Sequence, residues 1–150
     1  MKDKFLKFHE ATNNTVVYID LTEVAVIDTD DSKFPSRNVS RVYFLNSTNV
    51  PNFCVNETVE KIFTNCKVPG FIRLHNYPTN YAILVNANVI SILDSDRKKD
   101  GDTNTKVYLR NSTNLSSFNV YESPDKIYQM IIDADKAENT EQTEKTNQKD

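Results

Sequence analysis

Two histidines, two cysteines and one aspartate-rich stretch are the parts of this chain whose residue types and spacing could do chemistry. His9 and His75 each end a short apolar run, Phe5 to His9 and Phe71 to His75, and hold equivalent positions in an internal repeat. An imidazole there could act as a base or a ligand, but a zinc site needs further His or Cys ligands at close spacing. Neither histidine has them in its neighbourhood. Cys66 falls on the apolar stripe of an expected helix and aligns with Ile131, so it reads as a small buried apolar residue. Cys54 aligns with Asn119 and lies between two apolar residues of a strand, which turns it to the other face. A disulfide between them is not expected, and a reducing environment is.

The stretch from Asp94 to Asp102 invites a calcium reading. An EF-hand-like loop starting at Asp96 would have Asp100 and Gly101 in place, but Lys98 and Val107 stand where the loop requires a carboxylate-type ligand and a bidentate glutamate. A solvated hairpin loop fits better. Gly70 and Gly101 are the only glycines, so no glycine-rich phosphate loop exists. No Gly-x-Ser-x-Gly, Cys/His dyad or His-Glu-x-x-His occurs either. The expectation is therefore a non-enzyme with no catalytic, cofactor-binding or metal residues and no cofactor. Tyr43, Tyr108, Phe53 and Phe118 could stack bases as an RNA-recognition sheet does. That would require Arg37, Arg41, Arg73, Lys106 and Arg110 to share their face; at strand spacing such aromatics otherwise form core.

Those residues sit on a duplicated framework. From position 41 to 63 the chain matches the segment 65 residues later at 11 of 23 positions without a gap, including Asn46-Ser47-Thr48-Asn49 and Asn111-Ser112-Thr113-Asn114. Upstream, an offset of 66 aligns Phe5 to His9 with Phe71 to His75, and Val24 to Asp30 with Ile90 to Asp96. The expected units are residues 1–67, residues 70–134 and a polar tail over 135–150. A unit of about 60 residues is marginal alone, so the two copies should pack together or onto partners.

Each copy reads as about five short strands and one helix. The first has strands over 5–9, 16–19, 24–27, 42–45 and 53–55. The second has them over 71–75, 81–85, 89–93, 107–109 and 118–121. Asn13-Asn14 marks a turn, and the Asn-Ser-Thr-Asn segments have turn chemistry, because Asn and Ser side chains bond their own backbone. The period then changes. Val59, Ile62, Phe63 and Cys66 recur at helical spacing with Thr58 as N-cap, predicting a helix over about 58–67 that Pro69-Gly70 ends. The second helix, about 124–134, has Ser123 at the cap, Pro124 at the first position and Asp125 at the positive end, with Ile127, Met130, Ile131 and Ala134 as its buried stripe. Beyond Ala134 the sequence is too polar to order itself by burial.

The formal charge is -3. Six acids and three bases between residues 133 and 150 account for all of it, leaving a neutral body. Phosphate-backbone binding draws on a basic footprint, so nucleic acid is not an expected partner. Residues 1–4 are not followed by an apolar run of signal-peptide length, and no segment approaches the ~18 apolar residues of a membrane span. The six Asn-x-Ser/Thr sequons, at Asn13, Asn38, Asn46, Asn56, Asn111 and Asn114, then follow from the abundance of Asn, Ser and Thr.

Ala82 to Ile92, Val107 to Asn111 and Tyr121 to Ile127 together resemble the small flagellar-operon FlbD-type unit, with its Val-Leu-Asn-Ala strand, β-hairpin and Glu-Ser helix start. Here Val85-Asn86-Ala87 and Glu122-Ser123 carry the likeness. The family's Asn-Gly turn is Asn111-Ser112, and the loop from Asp94 to Thr105 is longer. The resemblance implies a β-plus-helix unit and brings no catalytic residues. The duplication, the Asn/Lys-rich composition and the polar tail also resemble small virion proteins of tailed, crAss-like bacteriophages. The resulting expectation is an α+β protein, a pseudo-two-fold tandem duplication of a small antiparallel sheet unit with one packed helix. Its expected role is a structural component of a virion (ring, collar, tail or capsid-associated), assembled in the host cytoplasm, with its own copies or other virion proteins as partners and no membrane. The alternative is a small regulatory module that binds RNA or a protein partner.

Overall fold

The computed structural model describes residues 4–30, 39–66, 70–97, 103–111 and 113–148. The fold is α+β, with antiparallel sheets and two helices. Strands β1 (Phe5–His9) and β2 (Val16–Asp20) form a hairpin whose turn places Asn14 at φ 60, a conformation Asn tolerates better than most residues. A short 3-10 turn, Leu21–Glu23, follows, begun by Asp20, whose carboxylate accepts a hydrogen bond from the Thr22 backbone at 2.9 Å. Strands β3 (Val24–Asp30), β4 (Val39–Phe44) and β5 (Asn52–Val55) then form a meander, and α1 spans Val59–Asn65.

The same order recurs. Strands β6 (Phe71–His75) and β7 (Ala82–Asn86) form a hairpin with Asn80 at φ 65. A 3-10 turn over Ala87–Val89 is capped by Asn86. Strands β8 (Ile90–Arg97), β9 (Thr103–Leu109) and β10 (Ser117–Val120) form the second meander, and α2 spans Pro124–Gln148. Both meanders carry a register shift at their start, between Val24 and Val26 and between Ile90 and Ile92. Gly70, between the halves, sits at φ 99, and its carbonyl accepts from the Ala87 backbone at 2.8 Å.

In each half the hairpin curls back on the meander. Glu10 bridges Val55, with Ala11 and Asn56 bonding the Cys54 and His9 carbonyls; Asn76 bridges Val120, with Tyr77 and Tyr121 bonding the Asn119 and His75 carbonyls. Each half is thus a curved strip, β2-β1-β5-β4-β3 or β7-β6-β10-β9-β8. The strips are joined along one edge, where β7 pairs with β3 to make the five-stranded sheet β5-β4-β3-β7-β6. One apolar cluster lies in each half. Phe8, Ile27, Val42, Val55 and Ile62 centre the first; Leu74, Val85, Val107, Val120 and Ile127 centre the second. The seam knits them: Leu84 of β7 is buried in the first cluster, and Ala25 and Val26 of β3 in the second.

Several expectations are corrected. Strands β3, β8 and β9 run further into the polar segments than their apolar residues indicate. Backbone pairing continues through Asp28, Thr29 and Asp30, where Asp30 is buried and receives the Arg41 guanidinium at 2.7 Å. Asp94 to Arg97 likewise belong to β8, and residues 98–102, which include most of the calcium-like motif, lie outside the described residues. Phe63, expected on the buried stripe of α1, is exposed, with the Arg73 guanidinium 5.4 Å above its ring. A two-turn helix presents a narrow face, and Val59 and Ile62 fill it. Helix α2 does not end near Ala134; it continues to Gln148. Residues beyond Ala134 contain neither Pro nor Gly, and more than half of them are good helix formers, chiefly Glu, Lys and Gln. Among the described residues no helix is long and apolar enough to cross a membrane.

Candidate functional site: two His–Glu clasps and two open strand edges

His9 ends β1 and His75 ends β6. Each meets a glutamate at the corner between the last strand and the helix of its half. One oxygen of Glu57 accepts the His9 backbone N–H at 3.0 Å, and the other lies 2.7 Å from His9 Nδ1. Glu122 holds His75 at the same two distances, 3.0 and 2.7 Å. The glutamate carbonyls are held as well, accepting from Ser40 Oγ and Thr105 Oγ1 at 2.6 Å each. The next residue, Thr58 or Ser123, caps the helix by accepting from the Lys61 or Lys126 backbone at 3.2 Å. Hairpin and meander therefore meet on one glutamate in each half, through its carboxylate and its backbone carbonyl, immediately before the helix cap.

The Glu57 and Glu122 side chains are 11% and 7% accessible, whereas the imidazoles are about one-third accessible. Burial pushes the Glu57 carboxyl upward, but hydrogen bonds from the His9 ring and backbone outweigh it, and its pKa lies below the ordinary carboxylate value. A carboxylate on Nδ1 fixes an imidazole's orientation and leaves Nε2 as the remaining ring nitrogen. The surroundings of the two rings differ: His9 lines a surface hollow with Lys61 and Asn65, and His75 lines one with Thr29, Glu60 and Tyr81. Among the described residues no cluster of three or more His, Cys, Asp or Glu is placed to hold a metal ion.

Sequence reasoning gave neither Glu57 nor Glu122 a place in a site, and Glu122 figured there only in the resemblance of a helix start. Their partners are 48 and 47 residues away, beyond any local pattern. The signal was their identity at aligned positions of the two matching segments, which the histidines share. Cys54 and Cys66 are half-buried and form no disulfide with each other, Cys66 lying against the first cluster and Cys54 with Sγ 3.7 Å from Asp30.

Among the described residues the aromatics do not all share one face. Tyr43 is opposite Asn52 and Phe53 opposite Val42, so the two aromatics point to opposite sides of the sheet, Tyr43 toward the second cluster and Phe53 toward the first. Phe118 packs against the second cluster. Arg41 is engaged by Asp30 and Asn52, Arg73 by Glu60, and Lys106 lies 5.1 Å from the Tyr108 ring centroid. Arg37 lies outside the described residues.

The Asn-Ser-Thr-Asn segments, read as turns, also join the halves. Asn46 Nδ2 donates to the Asn111 carbonyl at 2.6 Å, Asn114 Nδ2 donates to the Phe44 carbonyl at 2.7 Å, and Leu45 bridges Thr113. No protein family, curated protein or solved structure matches this chain.

The four strip edges are not treated alike. Edges β3 and β7 cover each other. Edges β2 and β8 end their sheets and have no strand partner on the outer side among the described residues. Tyr18 on β2 and Ile92 on β8 are 62% and 54% accessible, and Val16 is 53% accessible.

Proposed function

We propose that this chain is a non-enzymatic assembly protein, a virion component of a tailed bacteriophage that binds neighbouring subunits. The carrying observation is that its two halves are joined by strand addition, β7 onto β3, while edges of the same kind at β2 and β8 have no outer strand partner among the described residues. An unpaired strand offers a row of N–H and C=O groups, a recurrent docking element between chains. The polar residues that could have carried chemistry instead hold the fold at its corners, as the Glu57 and Glu122 clasps do.

The sequence repeat and the recurring element order support descent of the halves from one duplicated unit. A closed pseudo-two-fold is the limiting case in which β2 would meet β8 as β7 meets β3. The engagement of Arg41 and Arg73 by carboxylates favours a protein partner over RNA.

The test is light scattering on the full chain at two concentrations, together with sedimentation of phage particles. A defined oligomer, or co-sedimentation with particles, is the expected result. A chain that stays at 17.2 kDa and is absent from particles overturns the reading.

A further inference from the structure

The geometry points to a specific partner for the open edges: β8 of one copy pairs antiparallel with β2 of the next, joining the chains head to tail. The inference rests on the assembly reading and deepens it by naming the surface and its occupant, a second copy of this chain.

The template lies inside the molecule. In the β3–β7 seam Val26 is opposite Val85, Ile27 opposite Leu84 and Asp28 opposite Ile83. The repeat offset of 66 carries β3 onto β8 and β7 onto β2. The equivalent register sets Ile92 opposite Ile19, Leu93 opposite Tyr18 and Asp94 opposite Val17. Side-chain directions agree with this. Val26 reaches from the first half into the second cluster, and Leu84 reaches from the second half into the first. Their equivalents, Ile92 and Tyr18, are large, apolar or aromatic, and exposed. Ile19 already lines the first cluster and Leu93 packs against the second, so each exposed side chain would find a neighbour of the kind its equivalent has.

The contact joins two different surfaces, so it is heterologous. Repetition closes into a ring or extends as a filament, according to the rotation between copies. Pairing within one chain would instead leave a monomer.

Blocking either edge separates these outcomes. Tyr18→Asp disables β2 and Ile92→Asp disables β8; both side chains are exposed, so the fold should survive. Circular dichroism and thermal melting check this, and Tyr18→Lys and Ile92→Lys repeat the experiment if an aspartate lowers the melting temperature appreciably. By light scattering the unaltered chain is expected at several times 17.2 kDa and each variant at 17.2 kDa. An equimolar mixture of the two variants retains one intact β2 and one intact β8, and is expected to give a species of twice the chain mass and nothing larger. Variants that remain oligomeric overturn the edge assignment but leave the assembly reading standing. Monomeric variants that fail to dimerise when mixed overturn the head-to-tail pairing. An unaltered chain that is monomeric at every concentration overturns the inference, and the assembly reading is then decided by particle sedimentation.

Discussion

The β3–β7 seam and the β2 and β8 edges are made from equivalent segments in opposite circumstances. In β3, Val24, Ala25, Val26 and Ile27 are all buried; in β8, Ser91 and Ile92 are exposed and Ile90 and Leu93 only partly covered. Leu84 is fully buried in β7, and its equivalent Tyr18 is 62% accessible. The strand pattern is shared, and the difference is the partner. Burial in a sheet is conferred by the strand alongside as much as by the residues of the strand itself.

The largest expected effect breaks the covered side of that comparison. Leu84→Ala leaves a cavity at the seam and should cost about 2–5 kcal/mol in urea unfolding. Tyr18→Ala, in the monomeric state, should lie within about 0.5 kcal/mol of the parent, as for other exposed positions. Equal losses would show that β2 is covered within the monomer.

Next in size are the clasps, which both halves possess. Glu57→Gln and Glu122→Gln should each cost about 1–3 kcal/mol, because each removes a charged acceptor from a backbone N–H and an imidazole. Similar values would show that the corners are equivalent although the edges are not. The pH dependence sharpens this for Glu57. Its folded pKa is depressed, so the unfolded chain binds the proton more readily. The stabilisation is fully present above the ordinary carboxylate value of 4.5 and is lost as pH falls through the lower folded value. Urea midpoints measured from pH 7 downward should show Glu57→Gln lacking that part of the acid loss.

The smallest effect concerns the helix caps. Thr58→Ala and Ser123→Ala each remove an acceptor for a first-turn N–H and should cost about 0.5–2 kcal/mol by thermal melting. The two should agree more closely with each other than do Leu84→Ala and Tyr18→Ala, since capping is local.

Much of this was legible in the residues. The turn at Asn14, the caps Thr58 and Ser123 and the short apolar runs that mark the strands are all short-range features. The polar continuations of β3 and β8 were not, because a ladder is held by backbone groups and tolerates Asp and Thr wherever a partner such as Arg41 meets them. Glu57 and Glu122 were hidden by sequence distance, although their recurrence beside recurring histidines was a usable sign. At the aligned positions of the two halves, Ser91 stands where Ala25 does and Tyr18 where Leu84 does. In both, the copy left uncovered carries the residue better suited to water.

By itself, then, the sequence determined the kind and order of elements in each half, because capping, turn formation and the grouping of apolar residues into short runs act between residues a few positions apart. The tertiary structure alone decided which edge meets which. Every strand edge offers the same backbone N–H and C=O groups, and those carry no address; the choice of β7 for β3 came from side chains such as Leu84 and Val26 finding room in the other half's core.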